Sequence, residues 1–599
     1  MADLPMYVVD SALEQELLAD VSLDEPWALV ERFATLVRIS GSQDERTAAS
    51  YIVERLQSWQ APVQVHEPEL YLSIPLSASV TVQAPNGPMF AAKTPAFSVS
   101  TAPGTITGQV VYLPRHIGPN LADVFSPVMD DAGLDLAGKI VLTEGFSGPD
   151  EVSFFAGKGS IGQIFVNPGQ RIHWSICTTI WGNPDLDSID RKPQVVAVDV
   201  NRPDGDALIR LAQAGGLQVS LCTELAEGWF RCPLIVVEIP GREEPEKFVL
   251  VHGHYDSWDV GVGDNATGDA ALLELARALW HHRHRLKRSV RIAWWPGHST
   301  GRYAGSTWYA DQFGVDLAEN CIAHLDIDSP GCRWADTFDH VCWMRELEGF
   351  CQQTIGDVAG VPAHGERPYR AGDYSFNNLG VSGFFMLLSE MSDAKRQELG
   401  YYAVGGCGGN IGWHTEDDRL PIADPANLVR DIRVYLAAIT RLVNAPVLPL
   451  NFVAVTQEHA AWLDAYAQRA GAHFDFGPAR AELAVLQASL ARFYRRGAEL
   501  AQRPVGDPEV RRFNAALLEL SRILVPLNYA RMGCFQQDPA VAIEPLPDLA
   551  CVRQLAAAAP DSDEQRFCRT QLQRGLNRVV YGYRLAQRLT DNACSGDAP

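Results

Sequence analysis

The stretch "KFVLVHGHYDSWDVGVGDNATGDAALLELARALW", residues 247–280, decides the fold. Its apolar start reads as a strand, its polar centre as a loop, and "GDAALLELARALW" as a helix whose start is marked by Thr267 and Gly268. The alternation continues outward: strand "SVRIAWWP", helix "STWYADQF", strand "CIAHLDID". Strands and helices joined by short connections place the chain in the α/β class, with a sheet covered by helices on both faces.

Farther out the texture changes. Short β runs broken by Gly, Pro and Asp, such as "GQVVYLP" and "GKIVLTEG", fill residues 105–235 and predict an inserted β-rich domain. Residues 1–104 and 236–450 then form the main α/β domain. Long Ala/Leu/Arg-rich helical patterns over 451–599 predict a helical domain that packs on its host or on a symmetry mate.

The chain has 599 residues, 47% of them hydrophobic, enough for several domains with their own cores. A formal charge of −23 disfavours nucleic acid and acidic membrane surfaces as partners. The dense basic run "HHRHRLKR", residues 281–288, reads as a solvated turn at a helix C-terminus, where the dipole favours cations. The N-terminus lacks the pattern of a signal peptide, and the chain has no apolar stretch long enough to span a bilayer, so a cytoplasmic location is expected. The 12 cysteines include no C-x-x-C pair and read as reduced packing residues, Cys321, Cys332 and Cys342 among them.

Polar residues cluster where the strands end, the usual ligand side of an α/β sheet. His254 and Asp256 alternate across an extended segment and Asp264 follows in the same loop. An imidazole and carboxylates are ligand types for zinc or a similar divalent ion, with Asp256 suited to orient the His254 ring from behind. The alternative is a satisfied histidine beside helix-capping aspartates. Asp326 and Asp328 share one face of the next strand end and could reach the same mouth; His414 lies in the polar loop "GWHTEDDRLP". Trp294 and Trp295 read as core, whereas Trp258 and Trp413 could line a pocket.

The segments "VHGHYDSWDVGVGDNATGDAALLELAR", "HLDIDSPG", "YRAGDYSFNNLGVSGFFML" and "GWHTEDD" resemble, in order, those of the co-catalytic zinc exopeptidases, especially the branch containing glutamate carboxypeptidase II and the transferrin receptor. The resemblance implies a mixed sheet sandwiched by helices, a protease-associated domain around "LAGKIVL" and "GKGSIGQIFVN", and a C-terminal dimerisation domain, hence a homodimer. It also implies one or two divalent ions, zinc foremost: His254 and Asp328 on one, His414 on the other, Asp264 bridging, and Asp256 behind His254. Arg370, Asp373, Tyr374 and Trp413 become candidates for contact with a small-molecule or peptide substrate.

One turn departs from this pattern. Where the family carries two consecutive glutamates, a general base and a metal ligand, this chain has His298 and Ser299 in "WWPGHSTGRYAGS". His298 can be a replacement ligand or the proton acceptor, or the second metal position can be lost. Gly297 to Gly301 also spell G-x-S-x-G, so a serine hydrolase with Ser299 as nucleophile is a minor alternative. The expected function is metal-dependent hydrolysis of an amide or peptide C–N bond in a small substrate, with aminopeptidase, carboxypeptidase and amidase activities all compatible. Its contrast is a non-catalytic, receptor-like binding protein on the same scaffold.

Overall fold

The computed structural model describes residues 9–116, 118, 121–125 and 133–595. The deciding stretch forms the strand Glu244–His254 and the helix Thr267–His281. That strand lies in an eight-stranded mixed sheet, paired in parallel with Arg288–Trp295 on one side and Cys321–Asp326 on the other. Ser382–Met386 extends the parallel set, while Leu234–Ile239 and Val63–His66 add antiparallel strands at one edge.

Alternation along the strands builds two layers, because successive side chains point to opposite faces. Val249, Val251, Val290 and Ile292 pack with Leu272, Leu275 and Leu279 of the Thr267–His281 helix, and with Leu436 and Ile439 of Pro425–Asn444. Phe248, Leu250, Ala293 and Trp295 pack on the other side against Tyr309, Ala310 and Leu317 of Ala304–Asn320. Trp294 and Trp295 are fully buried, one on each face, as core residues. Burial on both faces is why these strands read as continuous apolar runs.

A second, seven-stranded sheet forms the inserted unit. It starts well before the boundary expected at 105: Glu69–Val82 runs antiparallel to Gln218–Arg231 along almost its whole length. Val80 and Val82 close on Ile140, Ile164 and Leu221 inside that sheet's own core, so the unit spans residues 69–231. The position expected to divide the two domains lies within it.

The C-terminal helices Phe452–Ala470, Gly477–Leu500, Pro508–Tyr529 and Asp563–Ser595 share one apolar core with the main sheet's helices. Arg522 fastens them to the host by donating to the carbonyls of Ala318 (2.7 Å) and Gly380 (2.8 Å). The basic run begins as expected at a helix end, but its last residue does not stay in solvent: Arg288 is buried and paired with Glu244 at 2.7 Å. Cys321, Cys332 and Cys342 are buried free thiols. Among the described residues no helix is long and apolar enough to cross a membrane.

Candidate metal centre

The parallel strands deliver their polar ends to one place. His254 is the last residue of its strand, with its Nδ1 turned to the Asp256 carbonyl (3.1 Å) and carboxylate (3.4 Å). That fixes Nε2 toward the cavity, 3.0 Å from Asp264 Oδ1 and 3.9 Å from Asp328 Oδ2. Nε2 is buried there without an aligned hydrogen bond. A buried nitrogen facing two carboxylates in this way is a ligand geometry for a cation.

Asp264 stands between two imidazoles, its other oxygen 3.1 Å from His414 Nε2. Burial pushes its carboxyl up, but hydrogen bonds to His254 and His414 outweigh that and hold it well below the usual range. Burial likewise disfavours a charged His254, yet Asp256 and Asp264 lift its pKa well above the ordinary value. His414 is kept at φ 57° by a reciprocal pair of bonds to the inserted unit: Trp174 N donates to its carbonyl (2.9 Å), and its Nδ1 meets the Trp174 carbonyl (2.8 Å). Trp413 stacks on the His414 ring at 3.7 Å.

The rewritten turn enters the same cluster. The His298 ring stacks on that of His254 at 3.8 Å, and its Nδ1 lies 2.7 Å from Asp373 Oδ2. One ligand atom each from His254, His298 and Asp328 lies within 4.8 Å of the others. His298 thus joins the His254 side, leaving Asp264 as the carboxylate facing His414. Asp256 serves both: behind His254, it also accepts the amides of His298 (3.2 Å) and Ser299 (2.9 Å). Ser299 is buried, the following helix begins only at Ala304, and His414 directs its nitrogens to Trp174 and Asp264. A nucleophile elbow needs its serine exposed at the strand-to-helix turn, a placement this turn does not provide.

Of the four aspartates expected near the mouth, Asp264 and Asp328 line the cavity, Asp256 backs it, and Asp326 lies below. Asp326 faces His252 Nδ1 at 3.5 Å and accepts the Asp373 amide. Burial, then the charges of Asp373 and Asp328, push its carboxyl well up. Two substrate candidates sit elsewhere than expected. Asp373 stands behind His298, holding it while accepting Ser306 Oγ at 2.5 Å. Tyr374 is wholly buried, its ring edge-on to that of His324 and part of the core.

Arg370 and Trp413 do line the cavity, with Arg302, Tyr303 and Phe146. The Arg370 guanidinium lies over the Trp181 ring at 4.0 Å and donates Nη2 to the carbonyls of Asp538 (2.9 Å) and Pro539 (3.3 Å). Its Nε and Nη1 are buried without a hydrogen-bond partner, as is Arg302 Nε; Arg302 Nη2 donates to the Arg370 carbonyl at 3.0 Å. Burial lowers the Arg370 pKa to about 10, which leaves it charged at neutral pH. Trp258, the other aromatic candidate, stacks on Trp174 at 5.3 Å beneath the His414 loop.

Three structural residues escaped the sequence reading. Asn265 knits three loops, donating to the carbonyls of Ile327 (2.8 Å) and His254 (3.2 Å) while accepting the Ser329 amide (2.9 Å). Asp418 accepts the amides of Gly263 (2.6 Å) and Asp264 (2.9 Å), tying the two imidazole-bearing loops together. Arg38 reaches in from the N-terminal region to the carbonyls of Tyr255, Val260 and Gly261. The adjacency of Asn265 to Asp264, and of Asp418 to the His414 loop, was the only signal for the first two; nothing local marks Arg38.

Residues 235–439, which hold all of these candidate ligands, match the model of Peptidase family M28. That segment is similar to peptidase family M28. The chain is 34% identical over 97 residues to the probable glutamate carboxypeptidase VP8 of Zea mays, a match covering 15% of this chain and 13% of that protein. Against carboxypeptidase Q of Xenopus laevis it is 24% identical over 330 residues, 50% of this chain and 63% of that one. The matches thus span less than two thirds of either relative's length. The aminopeptidase from Aneurinibacillus sp. strain AM-1 shares the fold with a TM-score of 0.51 at 19% identity, over 71% of this chain and 95% of its own. The family match supports a metal-dependent peptidase, and the likeness to the solved structure shows the fold.

Proposed function

We propose that the chain is a metal-dependent hydrolase that cleaves an amide or peptide bond in a small substrate carrying a free carboxylate. The observation behind this reading is the convergence of His254, His298 and Asp328, with Asp264 between that group and His414. Several carboxylates buried together beside imidazoles favour a cation among them. Two imidazole nitrogens and carboxylate oxygens suit zinc. Bound by His254, His298 and Asp328, it would polarise the scissile carbonyl and acidify the attacking water.

The chain's own residues do the rest. Asp256, Asp373 and the Trp174 carbonyl each take the Nδ1 side of one imidazole and so fix which nitrogen faces the cavity. Arg302 and Arg370 line the cavity with two guanidinium groups suited to a substrate carboxylate, which would orient the adjacent amide toward the histidines. Trp413 and Phe146 supply apolar wall.

A second reading of His298 has its own support: the 2.7 Å contact to Asp373 is what a proton-accepting imidazole needs to stabilise its charged form. His298→Ala separates the two. Loss of zinc identifies a ligand, whereas retained zinc with lost turnover identifies a base. A panel of N-acyl amino acids, dipeptides and simple amides given to the zinc-loaded protein tests the hydrolase itself. Full turnover without metal, or protein that binds no zinc, would overturn the reading in favour of serine chemistry or a receptor-like scaffold. We also propose a homodimer formed through the C-terminal helices, whose last member exposes Phe567 and Tyr581. A monomer in sedimentation at high concentration would contradict it.

A further inference from the structure

The basic run at residues 281–288 does more than end a helix. The helix Thr267–His281 and the N-terminal helix Ser11–Asp20 finish side by side, so that Asp20 faces two consecutive histidines. Asp20 Oδ2 is 3.1 Å from His281 Nδ1 and 3.3 Å from His282 Nε2. One ligand atom each from Asp20, His281 and His282 lies within 4.8 Å of the others. His282 is only 7% exposed, and its Nε2 is buried and aimed at this point without an aligned hydrogen bond. Its other nitrogen faces Glu16 Oε1 at 3.6 Å, the placement of a carboxylate that orients a ligating imidazole from behind.

From this juxtaposition we infer a second metal site, formed by Asp20, His281 and His282, for a borderline divalent transition-metal ion such as zinc or nickel. Two imidazole nitrogens and one carboxylate oxygen are the donors these ions prefer, and three protein ligands leave a position for water. Two helix C-termini converge on the spot, and both dipoles favour positive charge there. The neighbouring cation does not cancel this. Arg277 lies 3.5 Å from Asp20 Oδ2, but its closer carboxylate partner is Glu274, at 2.7 and 2.9 Å. Arg285 is likewise taken up by Glu16 at 2.9 Å.

The site clips the N-terminal helix, whose Leu13 and Leu17 are already buried, onto the α/β domain. It stands apart from the central cluster and does not depend on the proposed hydrolysis. The test uses the full chain, stripped with a chelator and dialysed against zinc alone. His281→Ala/His282→Ala should bind one zinc equivalent fewer than the parent, with unchanged hydrolysis where that is present. His254→Ala should lose a different equivalent, so failure at one site is distinguishable from failure at the other. Zinc should slow hydrogen exchange across residues 11–20 in the parent but not in the double variant. Because His281 is 67% exposed, His281→Gln alone repeats the test without disturbing the core. Equal zinc content in parent and variants, or exchange over 11–20 that ignores zinc, overturns the inference.

Discussion

At the residue scale, Arg370 is the side chain on which the proposed substrate carboxylate can be tested. A guanidinium taken out of water without a carboxylate partner is costly, and here two of its nitrogens are buried without a hydrogen-bond partner beside the cavity that the residue lines. A bound carboxylate would satisfy them. Charge-assisted hydrogen bonds of this kind contribute about 1.5–3 kcal/mol, so Arg370→Ala should lower kcat/KM for a carboxylate-bearing substrate roughly 10–100-fold. The same substrate with its carboxylate amidated should be hydrolysed equally by parent and variant. Equal losses on both substrates would show that Arg370 acts by holding the Asp538–Pro539 segment instead.

At the scale of elements, the loops are rigid where buried polar groups tie them and pH-sensitive where such groups titrate. Asp199 lies in the strand Val196–Val200 of the inserted sheet and accepts from Ser147 N, Ser147 Oγ and Asn167 Nδ2. Burial pushes its carboxyl from 3.8 up to about 7, against those hydrogen bonds. The folded chain therefore holds a proton that the unfolded chain has already released between about pH 4 and pH 7. Stability from this group is fully present below that window and falls as pH rises through it, by an amount on the order of 2–4 kcal/mol. Asp199→Asn keeps an acceptor for Ser147 N and Asn167 and carries no charge. Thermal melts from pH 5 to 8 should decline less steeply in that variant than in the parent, and identical slopes would refute the assignment.

Elements also mark the limit of what sequence could tell. The strand, loop and helix of residues 247–280 were legible because both apolar patterns and both polar ligands are local. Asp328 was legible as a candidate from the alternation at its strand end, whereas the role of His414 was legible only through resemblance, since it sits in an ordinary polar loop. The insert's true start was hidden because Glu69–Val82 finds its partner strand about 150 residues later, at Gln218–Arg231. Asp373 and Tyr374 are adjacent and looked alike as pocket residues, yet one props His298 and the other is buried beneath the site. Both follow a turn at Gly372, which does line the cavity and where an added Cβ would lie 2.0 Å from Met386 Sδ.

At the scale of the whole molecule, the cavity is a junction of three units, each supplying a part the others lack. The α/β domain carries the imidazoles and carboxylates, the C-terminal region anchors Arg370 through the Asp538 and Pro539 carbonyls, and the inserted unit holds His414 through Trp174. The insert is fastened to the His414 loop by charge: Arg171 spans Asp417 (2.8 Å) and Glu416 (2.9 Å), and Lys93 meets Glu416 at 3.3 Å while lying 4.4 Å over Trp174. Individually such pairs contribute about 0.2–1 kcal/mol, and salt screens them. Together they hold the inserted unit, and with it Trp174, against the His414 loop. Lys93→Met/Arg171→Met should therefore speed zinc loss to a chelator several-fold and remove most of its dependence on ionic strength, with little change in melting temperature. If release stays equally slow and equally salt-dependent, the inserted unit only covers the site, and His414 is held by its own loop and Asp418.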